Sequence, residues 1–181
     1  LKIGDCPIIS IVDGKIVGNR KLKPSVDSPT HLEIYRKFKK IKSVSHCHSK
    51  FATAWAQASK PIPLLGTTQA DFLKNEIPLV KHLNKNQLNN YENNTGNLIC
   101  KKIKVEKIDP EICPGLIVAG HGQFSWGNDY KKAVANSKLI EFLAETAFIT
   151  LSIGVKKKLP SYISKFHFDR KHSKKKYYGQ N

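Results

Sequence analysis

The chain has 181 residues, 40% of them hydrophobic, and a formal charge of +17; this suits one domain with a real core and is too apolar for a disordered chain. Its longest apolar stretch (139–153) is broken by Glu141, Glu145, Thr146, Thr150 and Ser152, so no run is long enough to span a membrane, and no basic–apolar–small secretory pattern opens the chain. The charge suggests phosphate-bearing partners, but only three of the 31 basic residues are Arg (Arg20, Arg36, Arg170), and an excess of Lys, Asn and Ile follows from AT-rich codons without a nucleic-acid partner.

"CPIISIVDGKIV" (6–17) alternates around Asp-Gly and predicts a β-hairpin. "SPTHLEIYRKF" (28–38) predicts a helix with Ser28 as N-cap, Pro29 at the first position, and Leu32, Tyr35 and Phe38 on one face. "SVSHCHS" reads as a short strand, and Ser49 as the cap of a helix carrying Phe51, Ala54, Trp55 and Ala58. "KPIPLLG" is extended by its prolines. Residues 84–107, rich in Asn and Lys, are helical in part. "PGLIVAGHGQFSWG" (114–127) reads as strand, turn, strand; Asn128 or Asp129 then caps a long helix ending near Gly154, and Pro160 starts a last helix towards His172. No internal repeat appears, so a single domain over 1–181 is expected: α/β of the α+β type, with helices packed over a largely antiparallel sheet.

The four Cys (Cys6, Cys47, Cys100, Cys113) form no CxxC pair and no metal-finger spacing, which fits reduced thiols in a cytoplasmic protein. "NNT" at 93–95 has the form of a glycosylation acceptor, which means nothing without secretion. The chain has no Met, and the expectation is that Leu1 is not a native start.

In a strand, residues i and i+2 point to one face, so His46 and His48 aim two imidazoles together while Cys47 points away. A third histidine, His121, lies between two glycines at a strand end. Two ligands on one strand plus one from a distant turn is a catalytic-zinc pattern with an open position. Each alone has a plainer reading, a polar strand end or a turn histidine. Asp71, in a loop behind "GTTQA", is a general base or a helix N-cap; Tyr178, in "KKKYYGQN", is a phenol poised by lysines or part of a basic tail.

Three stretches carry a resemblance: "KPSVDSPTHLEIYRKFKKIKSVSHCHSKFATAWAQASKPIPLLGTTQADF" (23–72), "PGLIVAGHGQFSWGNDYKKAVANSKLIEFLA" (114–144) and "RKHSKKKYYGQ" (170–180). They resemble the L-ribulose-5-phosphate 4-epimerases of the class II aldolase and adducin superfamily. The "GTTxAD" and "YYGQ" elements are specific to the epimerases, whereas the sugar-phosphate aldolases share the histidines only. The resemblance slips near Tyr91–Glu92 and is loose across 145–165.

The resemblance implies a three-layer αβα fold with a central, mainly antiparallel sheet. It implies one zinc ion per subunit on His46, His48 and His121, with Asp27 beside metal and substrate, and Asp71 and Tyr178 as the acid/base pair. The substrate-contacting element is Ser25, Val26 and Asp27, while Glu92, His167 and Arg170 fall near the site with less definite roles. It further implies a sugar-phosphate substrate and a homotetramer with sites at subunit boundaries. The reaction implied inverts C4 of L-ribulose 5-phosphate to give D-xylulose 5-phosphate, by retro-aldol cleavage between C3 and C4, rotation of the aldehyde, and re-addition to its other face.

The chain also departs from the family pattern. Val26 stands where a second Ser is usual, Gln69 where His is usual, and Ala119 in place of another His. Roughly fifty residues with phosphate-binding elements are expected ahead of position 1, and the 181 residues alone are expected to form the zinc site but to show little or no epimerase activity at physiological substrate levels. The alternatives are an inactive zinc-binding relative of the same fold, or a Lys-rich protein that binds nucleic acid or an acidic partner.

Overall fold

The structure is a computed structural model and describes residues 6–19, 21–154, 158–174 and 176–177. Tyr178 lies outside the described residues.

The expected hairpin forms as β1 (Ile8–Ile9) and β2 (Ile16–Val17), antiparallel with Ile9 opposite Ile16. Its strands are shorter than the alternation suggested, because Ser10–Lys15 close a loop in which Gly14 takes a φ of +74° and donates to the Ser10 carbonyl. The main sheet contains β3 (Ser43–Cys47), β4 (Leu79–Val80), β5 (Gly115–Val118) and β6 (Gln123–Gly127) in the order β3-β6-β5-β4. β3 and β5 each pair antiparallel with β6, and only β4 runs parallel to β5.

Every residue of β5 is buried because helices cover both faces of the sheet. Leu116, Val118, Phe124 and Trp126 pack with Ile34 of α1 (Ser28–Lys37) and Ile99 and Ile103 of α4 (Tyr91–Val105). Ile117 faces the other way, towards Ala52 and Ala56 of α2 (Lys50–Gln57) and Ile140, Leu143 and Ala144 of α5 (Tyr130–Ser152). The result is the three-layer αβα arrangement implied by the resemblance. At the α1–α4 crossing, Gly96 is required by close approach: a Cβ there would sit 2.7 Å from the Glu33 Cβ.

The boundary of α1 differs by one residue from expectation. Asp27, not Ser28, is the N-cap, and its side chain makes no capping bond. Residues 85–90 form a 3-10 turn that leads into α4, which resolves the Asn- and Lys-rich segment. Asp129 is the N-cap of α5, its carboxylate accepting from the Lys132 N–H at 2.7 Å. A short α3 (Thr67–Ala70) and a last helix α6 (Ser161–His172) complete the chain in order. No helix among the described residues is long and apolar enough to cross a membrane.

Candidate active site

The β3 strand ends at Cys47, and the turn between β5 and β6 passes beside it; this brings three histidines from two places in the chain together. His46, His48 and His121 each offer a ring nitrogen, and these atoms lie within 4.8 Å of one another. The Nε2 atoms of His46 and His48 are 3.2 Å apart. His46 Nδ1 donates to the Gln123 carbonyl at 2.8 Å, so its proton is on Nδ1 and the Nε2 lone pair faces the other two rings. The His46 ring stacks on Phe124, centroids 4.1 Å apart, which sets its plane.

Two glycines shape the turn. Gly120 takes a φ of +66°, and a Cβ on Gly122 would lie 2.9 Å from the Cys47 carbonyl and 3.0 Å from the His48 ring. Burial lowers the pKa of both His46 and His121, so the neutral, ligating form of each is favoured. Converging nitrogen lone pairs on neutral rings, beside a carboxylate, suit a divalent cation better than they suit one another.

That carboxylate is Asp27. Its Oδ2 is 3.8 Å from His46 Nε2 and its Oδ1 is 3.9 Å from His121 Nε2. The missing cap at α1 has its physical reason here: the side chain that would cap the helix points at the histidines instead. Ser25 accepts a hydrogen bond from the Asp27 N–H at 3.3 Å, while Val26 is 75% exposed and turned to solvent. A groove of about 980 Å³ opens beside His46, Asp27 and Ser25. His31, one turn along α1 from Asp27, lines it too; spacing from Asp27 was the signal that would have found it. Glu92 lies in the first turn of α4, where its backbone carbonyl accepts from the Thr30 hydroxyl and its charge favours protonation of His121.

Asp71 belongs to a second cluster. It is the C-cap of α3, rather than a loop residue or an N-cap, and every partner of its carboxylate among the described residues lies on α6. Arg170 Nη2 reaches both carboxylate oxygens, His167 Nδ1 lies 3.2 Å from Oδ1, and Lys171 Nζ is 3.7 Å from Oδ2. His172 donates to the Asp71 carbonyl at 2.8 Å. The fold thus brings Asp71, His167 and Arg170 together, with no contact from Asp71 to the three metal-facing histidines.

Two of the departures have a structural role. Gln69 is buried, accepts from the Leu65 and Gly66 N–H groups and donates to the Pro63 carbonyl, so it staples the turn before α3. Ala119 borders a cavity of about 100 Å³ together with His82 and Tyr91.

A sheet between two helical layers, with histidines meeting where its strands end, defines a class II aldolase-type domain. The family profile described as "Class II Aldolase and Adducin N-terminal domain" matches residues 2–148, and the chain belongs to that family. Among solved structures, L-fuculose 1-phosphate aldolase superposes with a TM-score of 0.71 at 17% identity, covering 91% of this chain and 70% of that one. YgbL from Escherichia coli, titled a putative aldolase/epimerase/decarboxylase, gives 0.68 at 21% identity, covering 88% and 72%. Within the family the chain falls in the L-ribulose-5-phosphate 4-epimerase branch. It is 38% identical over 182 residues to L-ribulose-5-phosphate 4-epimerase UlaF of Salmonella typhi, covering 99% of this chain and 78% of the relative. It is 39% identical over 178 residues to the probable L-ribulose-5-phosphate 4-epimerase UlaF of Mycoplasma pneumoniae, covering 96% and 73%.

Proposed function

We propose that the protein is a zinc-dependent L-ribulose-5-phosphate 4-epimerase that inverts C4 by breaking and remaking the C3–C4 bond. The observation that carries this is the convergence of His46, His48 and His121 beside Asp27, in a chain at 38% identity with enzymes of that name. Three imidazoles and a nearby carboxylate suit zinc and leave a position for substrate. Zinc bound there supplies Lewis-acid stabilisation of the negative charge that develops as the bond opens.

The chain's own residues do the rest. Ser25 and Asp27 border the groove and orient the sugar phosphate; Val26, at the same element, offers no hydroxyl. Asp71 and Tyr178 take the C4 hydroxyl proton on one face and return it on the other. Arg170 and His167 hold the Asp71 carboxylate in place for that task.

Asp71 faces α6 rather than the histidines of its own chain, which supports sites shared between subunits of a homotetramer. α5 supports the same reading, because Phe142, Phe148, Ile149 and Leu151 are exposed along it beyond what one chain covers. The expected compartment is the cytoplasm.

The retro-aldol route has its own test. Metal-loaded protein given dihydroxyacetone and glycolaldehyde phosphate should condense them to pentulose 5-phosphates of both C4 configurations. C4 inversion of L-ribulose 5-phosphate without any such condensation would overturn the bond-cleavage route.

A further inference from the structure

Beneath the metal-facing histidines lies a partly buried polar chain with a fixed direction. Gln123, fully buried on β6, donates from Nε2 to the Ser49 Oγ at 2.6 Å and to the Cys47 Sγ at 3.3 Å. The Ser49 hydroxyl donates in turn to Glu141 Oε2 at 2.6 Å. Glu141, on α5, also accepts the Phe51 N–H at 2.8 Å and the Ala52 N–H at 2.9 Å, and so caps α2 from another helix. Each link fixes the polarity of the next. The carboxylate only accepts, so the single Ser49 proton goes to it, and Ser49 then has only lone pairs to offer Gln123. The amide must therefore turn its NH2 towards Ser49. Its Oε1 is left buried without a partner, an unfavourable position that the chain tolerates.

The same glutamine also accepts the His46 Nδ1 proton on its backbone carbonyl. One residue thus grips His46, Cys47 and Ser49, and His48 sits between the last two. We infer that Gln123, Ser49 and Glu141 are positioning residues: they hold the end of β3 so that His46 and His48 present their Nε2 atoms to the metal in one geometry. This rests on the reading that the three histidines hold a metal. It goes beyond that reading in assigning the precision of the site to residues that touch neither metal nor substrate. Outer partners of metal ligands are worth about 10–100-fold in affinity.

The test compares wild type with Ser49→Ala, Ser49→Thr and Gln123→Leu. Three quantities are measured: zinc dissociation constant by chelator competition, visible spectrum of the cobalt-substituted protein, and melting temperature of the metal-free protein. Gln123→Leu is close in volume and removes the orphaned Oε1, so the metal-free fold should survive it. Ser49→Ala and Gln123→Leu should each weaken zinc binding about 10–100-fold and alter the cobalt bands. The metal-free melting temperature should be nearly unchanged in Gln123→Leu and lowered in Ser49→Ala, which leaves the buried Gln123 amide without its acceptor. Ser49→Thr, which keeps a hydroxyl, should restore both affinity and spectrum. Wild-type zinc affinity and cobalt spectrum in Ser49→Ala and Gln123→Leu would overturn the inference. So would losses that follow the metal-free melting temperature and are not restored by Ser49→Thr. A wild-type protein that takes up no zinc would instead bring down the metal reading itself, and this inference with it.

Discussion

Arg170 grips Asp71 at two points: its Nη2 lies 3.0 Å from one carboxylate oxygen and 3.1 Å from the other, and its Nε lies 3.3 Å from the first. The pair joins α3 to α6 across 99 positions of sequence and is mostly shielded from water. Lys has no planar fork, so Arg170→Lys should not replace it. Either Arg170→Lys or Arg170→Ala should cost about 1.5–3 kcal/mol of the local stability of α6. Faster hydrogen exchange of the α6 amides, with β5 and β6 unchanged, is the expected reading.

Because the carboxylate of Asp71 turns to α6 and not to the histidines, Asp71→Asn should leave zinc content unchanged. Tyr178→Phe should do the same. Each should lower epimerisation on the order of 10²-fold or more, the usual scale for a general acid or base. Near wild-type turnover in either variant would remove that residue from the acid/base pair.

His31 is held neutral in the fold. Burial, and next the neighbouring His46, push its pKa down from 6.5 to about 4. The unfolded chain therefore binds this proton more tightly between those values, so stability is whole above about pH 6.5 and falls as pH drops towards 4. Burial shifts His46 and His121 in the same direction. For His31 the loss amounts to at most about 3 kcal/mol. Urea denaturation of the metal-free protein at a series of pH values should show the slope, and His31→Gln should flatten it.

Gly122 has no room for a side chain: an added Cβ would press on the Cys47 carbonyl and the His48 ring. Gly122→Ala should therefore displace His48 and weaken zinc roughly tenfold or more, the scale for disturbed ligand support. Chelator competition measures it directly.

The exposed face of α5 yields a prediction about assembly. Phe142→Glu or Phe148→Glu should convert the proposed tetramer to smaller species in sedimentation velocity while the zinc site of each chain persists. A tetramer unaffected by both charges would place the subunit contacts elsewhere.

Features set by short-range periodicity were legible in the sequence. The i, i+2 rule put His46 and His48 on one face, and their Nε2 atoms do meet, although β3 itself ends at Cys47. The stretch 114–127 read as strand, turn, strand, and β5 and β6 form there on either side of the turn that carries His121. Features that depend on a distant charge were not legible. Ser28 followed by Pro29 reads as a helix start, yet the helix is capped at Asp27, whose side chain is drawn to histidines on β3 and in the β5–β6 turn. Glu141 appeared only as a polar break in an apolar stretch; its role at the start of α2 needs a partner about 90 positions away. Asp71 looked like a loop residue because its carboxylate pairs with a helix whose Arg170 lies 99 positions away.

The most direct measurement is the conversion of L-ribulose 5-phosphate to D-xylulose 5-phosphate, followed by NMR, with three preparations of the 181-residue chain. These are protein stripped of metal, the same protein reloaded with zinc, and a zinc-treated His46→Ala/His48→Ala double variant. The expected result, with substrate supplied well above physiological levels, is C4 inversion that is slow but measurable in the reloaded protein alone. Conversion at equal rates in all three, or none in the zinc-loaded chain, would contradict the assignment of this site to zinc-dependent epimerisation.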